Sequence, residues 1–300
     1  MTTMLSLVQS AAGEMGLAVP ASVAGNSSTD VTQQLYLLNG LGNDLMRDYQ
    51  WEALNTEYRF TTSFLTTTGN ITNGSAVVTN IPSTATLAAN LWMLTGNGIP
   101  GDCYIQSVDS ATQVTLNQAA QQTLTGVSLF FGKTKYALPS DYDRQIDRTH
   151  FDKSKRWEML GPETAQQWQW LKSSYISTGP RIRYRILGGY FQIWPIISTA
   201  EYLGFEYVSN SWATSASGTG KSSFTVDTDT CIFPDRLMIT GLKHRYMMAK
   251  GLGDIYAKEF EDQLTKSKPA DAGSATLSMA PKPSTVLIGY ENIPDSGYGS

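Results

Sequence analysis

Ser215-Ala216-Ser217-Gly218-Thr219-Gly220-Lys221-Ser222 matches a phosphate-binding loop except that Ser215 stands where the first glycine belongs. Such a loop works only when a helix starts after its Lys-Ser pair, so that amide groups at the helix start face the phosphate. Here Phe224, Val226 and Pro234 follow. That pattern reads as strand, and the segment is expected to be a turn between two strands. Asp227-Thr228-Asp229-Thr230 sets two carboxylates one residue apart, which can supply two ligands to a divalent cation, but no glycine-centred loop and no third ligand follow in register. A loop that caps the coming helix is the simpler expectation. His150 and His244 are the only histidines and fall on different predicted elements, while Cys103 and Cys231 are the only cysteines. Zinc needs about four ligands at tight spacing, and no Ser, Cys or carboxylate stands in a recognisable nucleophile setting. The sequence therefore predicts no catalytic residue, no cofactor-binding residue and no metal ligand. Both cysteines read as small buried hydrophobes rather than a disulfide framework.

Two cationic runs remain, Lys153-Lys155-Arg156 and Arg181-Arg183-Arg185. In the second, alternate positions on a strand point to one face and give a row of three guanidinium groups. Such a row suits carboxylates of a neighbouring subunit better than a plain solvated face or a phosphate backbone. With 22 Lys and Arg against 26 Asp and Glu the net charge is −4, so the chain lacks the overall basic balance of a nonspecific nucleic-acid binder and any DNA contact must be local.

The elements that position these residues are interrupted by a seam. Between Arg59 and Lys133 there is no Lys or Arg, and Thr, Asn, Ser and Gly alternate with apolar residues. The reading is an α+β chain: a helical-bundle core with an antiparallel sheet, an inserted small β-sandwich or barrel, and an extended C-terminal arm. Its boundaries are 1–65 for the first helical part, 66–132 for the β-module, 133–266 for the sheet and second helical part, and 267–300 for the arm. Leu5, Val8, Ala12 and Met15 predict a first helix stopped by Gly16 and Pro20. Asp30 and Gln33 form a capping-box pattern before Val31, Leu35, Leu38, Leu41, Leu45 and Tyr49, and this second helix continues toward Trp51 and Leu54. An extended stretch over 56–64 follows.

Within the module, 76–81, 91–94, 103–108, 113–116 and 127–131 read as short strands. A helix is predicted over 164–175, and a hairpin over 181–186 and 190–194 around Gly188-Gly189. Strands over 201–208 and 222–226 join one antiparallel sheet with it. A last helix runs from Pro234-Asp235 to about Lys266, where Gly241, Gly251 and Gly253 imply a kink or a close neighbour. From Ser267 onward Pro, Ser, Ala and Gly dominate, so that segment needs a partner to order it. No stretch approaches the roughly 20 apolar residues that cross a bilayer, and the start lacks the charge and apolar run of a signal peptide. The expectation is a protein that is neither membrane-bound nor secreted.

Taken in order, Tyr49-Gln50-Trp51-Glu52-Ala53-Leu54, Tyr136-Ala137-Leu138-Pro139-Ser140-Asp141-Tyr142, Trp168-Gln169-Trp170-Leu171, Phe205-Glu206-Tyr207, Asp227-Thr228-Asp229-Thr230 and Gly241-Leu242-Lys243-His244-Arg245 resemble the head-to-tail adaptor, or connector, proteins of tailed bacteriophages, especially short-tailed ones. The resemblance covers most of the chain outside the module and rests on pattern order. It implies a non-enzymatic ring of roughly twelve copies, assembled in the host cytoplasm and placed in the virion neck. Portal protein would sit above and a tail nozzle or fibre proteins below, with DNA only in transit through the lumen and no cofactor. It further implies an arm reaching the portal, for which Lys268, Lys282, Val286, Leu287, Ile288 and Tyr290 are the candidates. Subunit contacts are assigned to Arg181, Arg183, Arg185 and Arg245. The competing reading is a host-attachment component whose β-module stacks sugars on Trp92 and Tyr104. A nucleotide hydrolase using Lys221 is the third.

Overall fold

The computed structural model describes residues 2–173, 181–253 and 255–272, and the chain divides into two compact units. Unit 1 comprises Met1–Thr56, Asp141–Gln145 and Tyr207–Ser300; unit 2 comprises Glu57–Ser140 and Ile146–Glu206. The described residues form five α-helices and several antiparallel sheets, a mixed α+β architecture.

In unit 1, helix α1 (Met4–Glu14) buries Met4, Leu7, Val8, Ala11 and Ala12, a stripe turned slightly from the expected one, and Gly16 follows it with φ +72°. Helix α2 (Thr29–Asp48) buries Val31, Leu38, Leu41, Leu45 and Met46. The expected Asp30–Gln33 capping box is absent. Ser28 is the N-cap and makes no side-chain bond to the helix. Asp30 instead lies in the first turn, where its charge suits the helix dipole, and accepts from Lys250 Nζ at 2.7 Å. Tyr49 is extended, so α2 stops short of Trp51, and Glu52–Leu54 form a separate 3₁₀ turn. Trp51 is buried and its Nε1 donates to the Leu45 carbonyl at 2.6 Å.

The expected last helix is two helices. Between α4 (Asp235–Ala249) and α5 (Ala257–Ala272), Gly251 and Gly253 take φ of +75° and +76°, a left-handed backbone that no helix continues through. Helix α4 packs against α1, α2 and α5. At Gly241 a Cβ would stand 2.5 Å from Leu41 Cδ2, so the missing side chain is what lets α2 and α4 approach. A small sheet pairs Ala213–Thr214 with both Gly220–Lys221 and Thr230–Cys231. Residues 222–226, expected as a strand, form a loop.

Unit 2 contains two three-stranded sheets from the region free of Lys and Arg. One orders Phe64–Ile71, Leu124–Lys133 and Trp92–Gly96; the other orders Val77–Val78, Gln113–Leu116 and Ile105–Ser110. They share a core that includes Ile71, Val78, Leu94, Ile105, Val114 and Phe131. The Thr-rich run over 66–71 is also strand, which its sequence does not announce because consecutive threonines carry no apolar alternation.

A third sheet orders Arg183–Leu187, Tyr190–Trp194 and Lys135–Ala137. The hairpin turns on Gly188 and Gly189 at φ +61° and +78°. Pro195 has no N–H to donate and follows the last residue of that strand. Strand Phe151–Asp152 pairs separately with Trp157–Glu158 and with Leu203 and Gly204. The single sheet expected over 181–226 is therefore divided among separate sheets. Helix α3 (Ala165–Lys172) starts at a capping box between Thr164 and Gln167. No described helix is long and apolar enough to cross a membrane.

Candidate functional site

The phosphate-loop-like segment is a structural turn. Ser215 N–H donates to the Thr219 carbonyl at 2.9 Å and the Ser215 hydroxyl accepts from Thr219 N–H at 3.0 Å. No helix follows Lys221, so no row of free amides is offered to a phosphate. Lys221 Nζ donates to both Asp229 carboxylate oxygens at 2.8 and 2.9 Å, and Asp229 also accepts from the amides of Thr225 (2.8 Å) and Val226 (2.9 Å). Burial pushes the Asp229 carboxyl up, but Lys221 and the two amides outweigh it and hold the group below the ordinary aspartate range.

Asp227 is committed as well, accepting from Val23 N–H at 3.0 Å and Ala24 N–H at 2.7 Å. The carbonyls of Asp227 and Asp229 accept from Leu5 N–H (3.2 Å) and Met4 N–H (2.7 Å). This loop thus closes the start of α1. It does not cap the coming helix as expected, since α4 begins on Pro234, which cannot offer a side-chain bond. Among the described residues no three His, Cys, Asp or Glu side chains gather as metal ligands.

The densest charge cluster in unit 1 is one that motif reading missed. Lys243 is buried on α4 and donates to Glu14 of α1 at 2.6 Å and to Glu259 of α5 at 2.9 Å, with its Nζ 4.3 Å from the Tyr256 ring centre. Arg236, two turns earlier on α4, pairs with the same two carboxylates. Burial works against the Lys243 charge, and the two glutamates more than restore it, so its pKa lies above the lysine range. The result is a clamp of two cations and two anions across three helices. The only sequence signal for it is the helical spacing of Arg236 and Lys243; Glu14 is 229 residues away from Lys243.

Over 181–185 burial alternates, with Ile182 and Tyr184 buried and Arg181, Arg183 and Arg185 half-buried. Arg181 precedes the strand, while Arg183 and Arg185 lie within it, opposite Trp194 and Gln192. Arg183 donates to the buried Glu163 at 2.6 Å, and Arg245 on α4 donates to Asp44 at 2.6 Å. Lys268 lies on α5 with its Nζ 5.6 Å from the Tyr49 ring centre. Lys282, Val286, Leu287, Ile288 and Tyr290 lie outside the described residues. Trp92, expected as an exposed platform, is buried in the module core.

His150 is equally inaccessible. Its ring lies 4.1 Å from Tyr184 and 5.0 Å from Phe205, nearly parallel to both. Its Nδ1 meets the Tyr184 hydroxyl at 3.0 Å. Burial lowers its pKa to about 4, which keeps the ring neutral. The thiols of Cys103 and Cys231 are free and buried, and burial pushes them up to about 11 and about 12, far from a reactive thiolate.

Lys221, Asp227 and Asp229 thus hold the start of α1, and Lys243 and Arg236 hold three helices together. The sequence model of one family, the SU10 adaptor proteins, matches residues 86–282. The chain belongs to the SU10 adaptor protein family. No curated protein matches it. As a member of that family this adaptor is a phage structural protein, and its place is the neck of the virion. The match begins inside the segment expected as an insertion, so the module from residue 86 onward lies within the family's matched span.

Proposed function

We propose that this adaptor assembles as a closed ring of roughly twelve copies beneath the portal vertex, joins the portal to the tail nozzle or fibres, and leaves a channel through which DNA passes. The family match over residues 86–282 carries this reading. A ring needs heterologous contacts, two different faces on each protomer, rather than a cleft. The helices of unit 1 act as the bundle that builds the ring, and the β-module serves as a small sandwich facing outward. Exposed Tyr36, Met248, Leu252 and Ile255 in unit 1 offer apolar surface to a neighbour. Arg181 and Arg185 make further subunit contacts, and Arg183 and Arg245 do so only by exchanging their internal partners. The arm, with Lys282, Val286, Leu287, Ile288 and Tyr290, loses entropy on ordering but wraps portal surface late in assembly.

The test is removal of residues 273–300. The truncated protein is expected to keep the unfolding midpoint of the full chain and to lose most of its binding to purified portal. Unchanged portal binding by a folded truncated protein would reject the arm's role.

A further inference from the structure

Three Asn-Gly pairs stand in the chain, Asn39-Gly40, Asn73-Gly74 and Asn97-Gly98. In such a pair the glycine, lacking a Cβ, lets its own backbone nitrogen approach the side-chain amide of the asparagine before it. Whether the two react depends on what else holds them, and the three pairs are held differently. Asn39 lies inside α2, where its Nδ2 donates to the Phe224 carbonyl at 3.2 Å and its Oδ1 accepts from Phe224 N–H at 2.7 Å. Both ends of that amide are taken, and Gly40 is itself part of the helix.

The other two pairs form a matched set in the β-module. Each sits in a tight turn closed by one backbone bond, Ser75 N–H to the Thr72 carbonyl at 3.0 Å in the first and Ile99 N–H to the Gly96 carbonyl at 3.2 Å in the second. Gly74 and Gly98 both take φ +78°, and Asn73 and Asn97 are both exposed. The turns differ at the glycine nitrogen. Gly74 N–H donates to the Ala120 carbonyl at 2.9 Å, whereas Gly98 N–H has no acceptor among the described residues. Nor does the side-chain amide or the carbonyl of Asn97 have a hydrogen-bond partner among them. Gln121 N–H holds the Gly98 carbonyl at 2.9 Å, so the turn is anchored on both sides of a peptide that nothing holds.

We propose that Asn97 is a site of spontaneous modification, converting through a cyclic imide to aspartate and isoaspartate while Asn39 and Asn73 keep their amides. The Gly98 nitrogen gives its proton to hydroxide and attacks Asn97 Cγ. A C–N bond forms, the Cγ–Nδ2 bond breaks, and ammonia leaves with a proton taken from water. Water then opens the ring. Attack at Cγ restores the ordinary main chain with an aspartate, and attack at the main-chain carbonyl leaves Gly98 joined to Cγ as an isoaspartyl link. No atom is oxidised or reduced. The isoaspartyl product runs the main chain through Cβ and Cγ and so lengthens the turn between Gly96 and Ile99. Either product adds a carboxylate to a stretch with no Lys or Arg between Arg59 and Lys133. The chemistry is independent of ring assembly, since every reacting group lies within one turn.

The experiment ages the full-length protein in mildly alkaline buffer, digests it, and follows the three Asn-Gly peptides by mass spectrometry, with isoaspartate separated from aspartate by chromatography. Asn97 is expected to gain acid at least about fivefold faster than Asn73, the rate equivalent of one backbone hydrogen bond that must first open. Asn39 is expected to be no faster than Asn73. In guanidinium chloride sufficient to unfold the chain the rates at Asn73 and Asn97 are expected to converge, because the bond at Gly74 is gone. Asn97→Gln, whose longer side chain must close a larger ring, is expected to abolish the gain in that peptide. Asn73 ageing as fast as Asn97 in the folded protein, an Asn97 that keeps its amide, or a preference for Asn97 undiminished by unfolding would overturn the proposal. Acid gain that persists in Asn97→Gln would place the change at another residue and overturn it as well.

Discussion

Lys221 neutralises the buried Asp229, and that pair holds the loop on which α1 begins. Lys221→Ala leaves Asp229 with its amide donors but no counter-charge, and is expected to destabilise the protein by about 2–3 kcal/mol, below the cost of a fully stripped buried pair. A urea midpoint equal to wild type would contradict this. The strand-like residues after Lys221 mark its segment as a turn between strands, whereas nothing in the sequence marks Asp229 as its partner. By spacing alone Asp229 reads as one half of a cation pair or a helix cap, and nothing in that spacing marks a buried counter-ion.

His150 makes a second prediction at the same scale. Its folded pKa of about 4 lies below the ordinary 6.5, so in the interval between them the unfolded chain takes a proton that the folded chain refuses. Stability therefore falls as pH drops through that window, by up to about 3 kcal/mol from this group. His150→Phe keeps a ring in the stack and is expected to flatten the pH dependence of the urea midpoint between neutral and acid conditions. An equally steep dependence in the variant would remove His150 as its source.

Elements meet through glycines, and two of them predict opposite signs. A Cβ at Gly42 on α2 would stand 2.4 Å from the indole of Trp212, which is fully buried and cannot swing away. Gly42→Ala is expected to cost about 2 kcal/mol net, since overpacking outweighs the gain of about 1 kcal/mol in helix propensity. Gly13 on α1 has nothing within 4 Å of the same position, so Gly13→Ala should stabilise by up to about 1 kcal/mol. Thermal midpoints moving in the same direction for both would contradict this account of the packing.

Helices α1 and α2 were legible because their apolar stripes keep a period near 3.6. The break between α4 and α5 was legible only as a cost at Gly251 and Gly253, since a helical stripe runs on through Leu252 and Tyr256 across the turn. Strand Phe64–Ile71 was missed beyond its start because consecutive threonines carry no alternation. The four-charge clamp of Glu14, Arg236, Lys243 and Glu259 was legible only as the helical spacing of Arg236 and Lys243, because Glu14 lies 229 residues away from Lys243.

Across the whole chain the order of motifs resembles a phage adaptor, and the match to the SU10 adaptor family over residues 86–282 agrees with it. What the order could not supply is any contact beyond one chain, because ring interfaces join surfaces of separate protomers and leave no periodic trace in a single sequence. The most direct measurement is the native mass of the full-length adaptor mixed with the portal protein of its own phage. The account predicts one dominant species whose mass equals the portal plus a fixed, closed set of adaptor copies. A mixture in which the adaptor stays monomeric beside intact portal under all assembly conditions would contradict it.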